Sequence, residues 1–281
     1  MDTALRAILV GSPRDEFLVD VRRIMSAHGA TCEICPVPVY AELVSVSIVN
    51  GKAEVVPDVP LVWRPELGVA EDYDFDAAFL RGEQFAVCWS AAALSTSRVL
   101  NRPSFARPAI PPSGLAALDA LRLSAFATSQ AARSMSAACI PPERLSRSAG
   151  LLAAPVDRQD LGTWALLDGS ADTADGRPIR ERAKRRLAEV CVEFIVAIDR
   201  AWRVRTSGGP VPPGLISLGA MTSQDVARCL DLDIASVTIR PADDTSRVDI
   251  CRVGGYPSVI GVDHFTRRRI AERVATELEA G

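Results

Sequence analysis

Short apolar runs alternating with amphipathic stretches set the rhythm of this chain. Arg6-Ala-Ile-Leu-Val10 is an uninterrupted apolar run closed by Gly11-Ser-Pro13, the pattern of a strand buried on both faces. Phe17, Leu18, Val21, Ile24, Met25 and His28 then recur at helical spacing, and His28-Gly29 supplies a stop. Ala30 to Cys35 reads as the next strand, so the chain opens on a βαβ unit with the right-handed crossover such units adopt. Val44 to Val49 and Ala53 to Val56 flank Asn50-Gly51, a strong two-residue hairpin signal. Leu61-Val-Trp-Arg-Pro65 is a further buried strand, ended by proline. An acidic loop from Glu71 to Asp76 leads into a helix from about Phe79 to Leu94, and Val99-Leu-Asn-Arg-Pro103 closes a first lobe.

The second half is less evenly patterned. Pro108, Pro111 and Pro112 mark a linker, Ser113 to Ser136 is Ala- and Ser-rich with helical periodicity, and Val156 to Gly176 is polar and turn-rich. Glu181 to Leu187 suits a helix. Val190 to Ile198 and Ala201 to Arg205 form a hairpin about Asp199-Arg200, and Thr222 or Ser223 is placed to cap a helix running to Leu230. Ile234 to Arg240 and Arg247 to Val253 read as paired strands joined by a Pro-Ala-Asp-Asp-Thr-Ser turn. Ile270, Val274 and Leu278 form one stripe of a closing helix from Thr266 to Leu278.

Composition narrows the function classes. At 281 residues the chain is long enough for two lobes, and 48% hydrophobic with 24% charged residues is ordinary for a globular protein. A net charge of −3 with no segregated basic stripe argues against a nucleic-acid partner. The densest basic run, Arg182-Ala-Lys-Arg-Arg186, has Glu181 and Glu189 beside it and reads as a solvated face. No apolar run approaches the ~20 residues of a membrane span, and the start lacks the form of a secretory signal, so a cytoplasmic protein is expected. Seven scattered cysteines then read as reduced thiols. Cys32-x-x-Cys35 lacks the further ligands of a zinc site and reads as a strand with one thiol buried. His264, beside Asp263, reads as a surface or capping residue. No phosphate-binding P-loop, dinucleotide fingerprint or nucleophile elbow is present.

The stretch from Arg247 to Asp263 carries the most information. Its core, Arg252-Val-Gly-Gly-Tyr-Pro-Ser258, resembles the last motif of ATP-grasp ligases, the group that includes RimK-type and inositol-polyphosphate-kinase-like enzymes. In that motif an acidic residue and an asparagine two positions later hold magnesium, ahead of a small residue, an aromatic and a proline. Trp63-Arg64-Pro65, Glu83 and Asn101-Arg102-Pro103 resemble the N-terminal lobe of the same family, and the hairpin about Asp199-Arg200 resembles one of its hairpins. The resemblance covers roughly 1–105 and 187–281. It implies an α/β protein with a pre-ATP-grasp-like parallel-sheet lobe (1–105) followed by a trimmed α+β ATP-grasp-like lobe (106–281).

The chain departs from the family where magnesium ATP is held. Thr238, Arg252 and Gly254 stand where the resemblance places the metal ligands, and no lysine occurs between Lys52 and Lys184, where the family carries one for the nucleotide. Residues two apart on a strand share a face, so 252 and 254 belong together, and Asp249, three positions from 252, is expected on the other face. No metal and no cofactor are expected, with magnesium ATP only under the alternative of a working carboxylate–amine ligase whose ligands are displaced or supplied by a partner. The leading expectation is a non-catalytic partner or ligand-binding subunit in a biosynthetic or peptide-modifying pathway. It would assemble as a homo-oligomer or with an active ATP-grasp partner, on a small-molecule or peptide ligand; a small-molecule sensor is the third option. Arg64, Glu66, Asn101 and Arg102 fall at predicted strand ends, where ligands gather in open α/β sheets, and Arg252 and Tyr256 complete the ligand-binding candidates. The alternative for Asn101 and Arg102 is that they shape the Pro103 turn. Arg252 has three readings: a pair with an acid such as Glu193, an anion-binding fork, or plain exposure.

Overall fold

The computed structural model describes residues 6–65, 75–103, 132–134, 137–140, 152–155, 165–166, 179–182, 190–212, 214–242 and 247–281. Two compact units are formed, Met1–Ile110 with Ser258–Gly281, and Pro111–Pro257.

The first unit is built on a parallel sheet of β1 (Ala7–Val10), β2 (Cys32–Cys35), β5 (Leu61–Trp63) and β6 (Val99–Leu100) in the order β2-β1-β5-β6. All four residues of β1 are fully buried, as expected for a parallel strand covered on both faces. Helix α1 (Glu16–Ala27) starts where the Asp15 side chain accepts the Phe17 N–H, and ends at His28 and Gly29, the latter at φ +79°. Gly11 turns the chain out of β1 so tightly that a Cβ there would lie 2.7 Å from the carbonyl oxygen of Arg64. The Asn50-Gly51 turn joins β3 (Ser45–Val49) to β4 (Lys52–Val56), with both turn residues at positive φ as a type I′ hairpin requires.

Two features of this unit were not expected. A seven-residue helix, α2 (Val37–Leu43), follows β2 with proline in its first turn, a position where the missing N–H is harmless. Helix α3 (Phe75–Leu94) begins within the stretch read as an acidic loop, with Asp76 in its first turn, where a carboxylate favours the helix dipole. The core on this side joins Ile8, Val10, Tyr40, Trp63, Cys88 and Val99.

The closing helix packs in this first unit, against α1. It runs from His264 to Ala280 and is numbered α5; Asp263, not His264, caps it by accepting the Thr266 N–H at 2.9 Å. Arg267 clamps it to α1, reaching Asp20 at 2.7 Å and Glu16 at 2.8 Å, and His28 meets Glu279 at 3.0 Å.

The second unit contains a sheet ordered β13-β12-β14-β15-β7, from β12 (Cys191–Ala197), β13 (Arg200–Ser207), β14 (Ile234–Pro241), β15 (Val248–Gly254) and β7 (Ala132–Ser134). A second sheet, ordered β10-β9-β11-β8, is made by β8 (Ala137–Ile140), β9 (Leu152–Pro155), β10 (Ala165–Leu166) and β11 (Ile179–Arg182). Three expectations change here. Ala132–Ser134 is a strand within the stretch read as helical, Ala165–Leu166 is a strand within the stretch read as loop, and Glu181 and Arg182 are strand residues, not helical ones. The remaining residues of those three stretches lie outside the described residues.

Helix α4 (Leu215–Cys229) covers one face of the first of these sheets. It is capped at Gly214, eight residues ahead of Thr222, the nearer expected cap, and Thr222 and Ser223 are buried in its interior. The Ser223 hydroxyl donates to the Gly219 carbonyl four residues earlier, at 2.7 Å, which satisfies it without a helix end. Among the described residues, no helix is long and apolar enough to cross a membrane.

Candidate ligand face of the second-unit sheet

The two faces of this sheet differ sharply. Phe194, Val237, Ile239, Val248, Ile250 and Val253 belong to the core under α4. The run 248, 250, 253 breaks strict alternation, and the pairing shows why. Thr238 pairs with Arg252 but Ile239 pairs with Ile250, so Cys251 is an extra residue, a β-bulge in β15.

The bulge corrects one expectation. Positions 249, 252 and 254 pair with Arg240, Thr238 and Ser236, three alternate positions of β14. Asp249 therefore shares the register face of 252 and 254, and the extra residue has undone the parity of a regular strand. The pattern Val248-x-Ile250-x-x-Val253 was the available signal. The backbone positions that the family resemblance equates with metal ligands are thus neighbours, Thr238 opposite Arg252 and Gly254 opposite Ser236. The direction of the Arg252 side chain lies outside the described residues.

Two carboxylates on this face, Asp249 and Glu193, are held in ion pairs. Arg240 donates from Nε at 3.2 Å and from Nη2 at 3.0 Å to Oδ2 of Asp249, a residue only 3% exposed. Glu193, opposite Thr238 on β12, accepts from Arg205 at 2.7 Å. The acid expected to meet Arg252 therefore has an arginine on its other flank. Tyr256 follows β15, half-buried in the Gly255-Tyr-Pro257 turn.

Arg64 and Arg102, which follow the paired strands β5 and β6, are both engaged within the first unit. Arg64 bonds to Asp15 beyond β1 and stacks over Phe17, with 5.2 Å from its guanidinium carbon to the ring centre. Arg102 turns back to the end of α3, donating to the carbonyls of Ser95 and Ser97, both at 2.7 Å, and of Ala93 at 3.1 Å. It satisfies carbonyls that a helix end leaves open. Asn101 sits at φ +56°, where asparagine is better tolerated than most residues. Glu66 lies outside the described residues.

The same corner holds the sharpest carboxylate environment. Partial burial pushes Asp58 up, but hydrogen bonds from Ser95, Thr96 and Ser97 outweigh it and bring the pKa down to about 2. Such a depressed pKa gives stability that is present above the ordinary carboxylate range and is lost as pH falls towards 2. Asp58 thus acts as a strut tying the loop before β5 to the loop before β6.

The thiols offer no reactive centre in this unit. Cys32 and Cys35 are both buried, where one had been expected to be, and burial pushes Cys32 and Cys88 up to about 12. Among the described residues, no group of three or more His, Cys, Asp and Glu side chains could hold a metal ion.

Positions 238, 252 and 254 by themselves do not supply the donor set that magnesium takes. Magnesium takes hard oxygen ligands, usually carboxylates; positions 238, 252 and 254 supply a hydroxyl, a cation and no side chain.

No family model matches the chain, and no curated protein matches it in sequence. Solved structures do match its fold over nearly the whole length. The ATP-grasp ligase PsnB, complexed with a phosphomimetic variant of a minimal precursor, Mg and ADP, aligns with a TM-score of 0.65 at 16% identity over 99% of each chain. The macrocyclase MdnC of Microcystis aeruginosa, bound with precursor peptide MdnA, gives 0.65 at 12% identity over 99% of this chain and all of that one. A RimK domain ATP-grasp protein of Sphaerobacter thermophilus gives 0.57 at 12% identity, over 97% of this chain and 99% of that one. With its parallel sheet in one unit and antiparallel strands in the other, this chain has the fold of an ATP-grasp ligase.

Proposed function

We propose that this chain serves a peptide-modifying pathway as a non-catalytic member of the ATP-grasp architecture, a partner or ligand-binding subunit that works without magnesium ATP. The observation that carries the reading is the identity of residues 238, 252 and 254, paired in register on one sheet face and lacking any carboxylate. An arginine at 252 is a cation where the family resemblance expects a carboxylate, and a glycine at 254 lacks the side-chain oxygen of an asparagine. The likeness to PsnB and MdnC, both solved with precursor peptides, supports a peptide as the ligand class. Arg252 and Tyr256 belong to the stretch that resembles the family's last motif and are the ligand candidates of this reading. Association with another chain, a second copy or an active ATP-grasp ligase, belongs to this reading.

A second reading, an active ligase with displaced ligands, is favoured by one observation. The bulge at Cys251 places Asp249 on the same register face as 252 and 254, so two carboxylates, Asp249 and Glu193, belong to that face after all. Each is bound to an arginine, and that engagement weighs for the first reading.

The double substitution Arg252→Asp with Gly254→Asn separates the two. It installs two oxygen donors at alternate positions of β15. The expected result is manganese or magnesium binding measurable at sub-millimolar metal by calorimetry, where the unaltered protein shows none. A double variant with unchanged metal affinity would mean that 252 and 254 are not the metal positions. Metal binding by the unaltered protein, abolished by Asp249→Asn, would instead favour the displaced-ligand reading.

A further inference from the structure

Two β-bulges shape the second-unit sheet, and each brings a charged residue onto the face that α4 does not cover. In β13, Arg205 pairs with Glu193 but Arg203 pairs with Phe194, so Val204 is an extra residue. A regular strand would have set Val204 opposite Glu193 and left Arg205 on the α4 side. In β15 the extra residue at Cys251 does the same for Asp249. Re-aiming a side chain beside a site is a common use of a bulge.

The two rows that result are rich in arginine. One row across the strands reads Arg205, Glu193, Thr238 and Arg252. The other reads Arg240, Asp249 and Arg133, since β7 pairs with β15 through Arg133 and Asp249. Together the rows hold four arginines and two carboxylates. Arg205 reaches Glu193 at 2.7 Å and Arg240 reaches Asp249 at 3.0 Å, so those two arginines suffice to balance both acids. Arg133 and Arg252 make the rows positive beyond that balance, and such a surplus raises the local concentration of anions. The surplus surrounds Thr238, which stands opposite Arg252 and two residues from Arg240 on its own strand. The place is accessible: Thr238 is half-buried, and the Arg205 and Arg240 side chains keep 36% and 20% of their exposure. Gly254, two positions beyond Arg252, adds no side-chain bulk.

We propose that this face is a metal-independent oxyanion site, where arginines receive a carboxylate or phosphate group at the place the family resemblance assigns to magnesium. The inference rests on the metal-free reading above and names the chemistry of the ligand. The planar guanidinium fork matches the paired oxygens of either group, and a threonine hydroxyl can donate a further hydrogen bond. A divalent cation would meet a net positive field, and a neutral ligand would leave that field unanswered. Glu193 and Asp249 act as positioning residues that hold Arg205 and Arg240 in place and relieve the repulsion among the guanidiniums. Service as counter-ions to these acids explains two of the four arginines; an incoming oxyanion explains the set.

Calorimetric titration of the 281-residue chain in EDTA tests this, with a capped tri-glutamate peptide, a capped tri-glutamine peptide and inorganic phosphate as probes. The expected result is that at least one of the two anions binds without metal and that tri-glutamine does not. Arg252→Gln should weaken that binding about tenfold, the worth of one charge-assisted hydrogen bond. Arg133→Gln should weaken it as well, with the far-UV circular dichroism of both variants unchanged. Binding of tri-glutamate alone names a peptide carboxylate as the source of the group, and binding of phosphate alone names a phosphate. Binding of neither, binding that both variants leave unchanged, or equal binding of tri-glutamine overturns the proposal. If neither anion binds and ATP shows no magnesium-dependent binding, this inference fails and the metal-free reading stands. Anion binding that appears only when magnesium replaces EDTA defeats both.

Discussion

Gly219→Val is expected to unfold or severely loosen the second unit, lowering its stability by about 3 kcal/mol, the upper part of the range for overpacking a filled core. The reason is the closeness of α4 to the sheet. A Cβ at residue 219 would lie 2.3 Å from Cδ1 of Ile239 and 2.8 Å from Cε2 of Phe194. Both residues are essentially inaccessible, at 0% and 1% exposure, so neither has free space to retreat into. Glycine inside a helix normally costs about 1 kcal/mol relative to alanine. Here that cost is accepted so that α4 can approach β12 and β14 closely. Urea unfolding followed by circular dichroism measures the effect. A variant with an unchanged midpoint would mean that α4 is not seated on Phe194 and Ile239.

Arg240→Ala should be nearly as damaging, for an electrostatic reason. It removes both hydrogen bonds that Arg240 gives to Asp249, a carboxylate 3% exposed. Leaving a buried charge without its counter-ion costs about 3 kcal/mol or more, whereas replacing both members of a pair by apolar groups is often close to neutral. The double change Arg240→Ala with Asp249→Ala should therefore be more stable than Arg240→Ala alone. A coupling of about 2 kcal/mol in the double-mutant cycle is expected. Additive effects would show that the pair does not hold the face together. The pair also bears on function, because Arg240 already occupies Oδ2 of Asp249.

Much of this architecture was legible in the sequence, for physical reasons that differ by element. The first βαβ unit announced itself because a doubly covered parallel strand must be apolar throughout, as Ala7 to Val10 is, and because α1 has an apolar stripe and a glycine stop. The hairpin at Asn50-Gly51 followed from the positive φ that only a few residues adopt readily. The paired strands β12–β13 and β14–β15 were equally plain. Helix α4 was begun too late because Thr222 and Ser223 look like capping residues. In the fold, Ser223 bonds to its own helix, a choice that local sequence cannot distinguish from a cap.

The candidate face was half legible. Composition at 238, 252 and 254 can be read directly, and so can the shortage of lysine. The side of the strand on which Asp249 sits could not be read from alternation alone, since a single extra residue at Cys251 reverses it. The spacing of Val248, Ile250 and Val253 held that information, but only once the core face was known. The engagement of Arg102 with the end of α3 was likewise hidden, because an arginine at a predicted strand end can turn either way.

Calorimetric titration of the isolated 281-residue chain with ATP, in the presence and absence of magnesium, tests the central claim most directly. The donor set at Thr238, Arg252 and Gly254 predicts no metal-dependent binding of the nucleotide. A magnesium-dependent dissociation constant in the micromolar range would contradict it and would identify the chain as a nucleotide-using ligase with its metal ligands elsewhere.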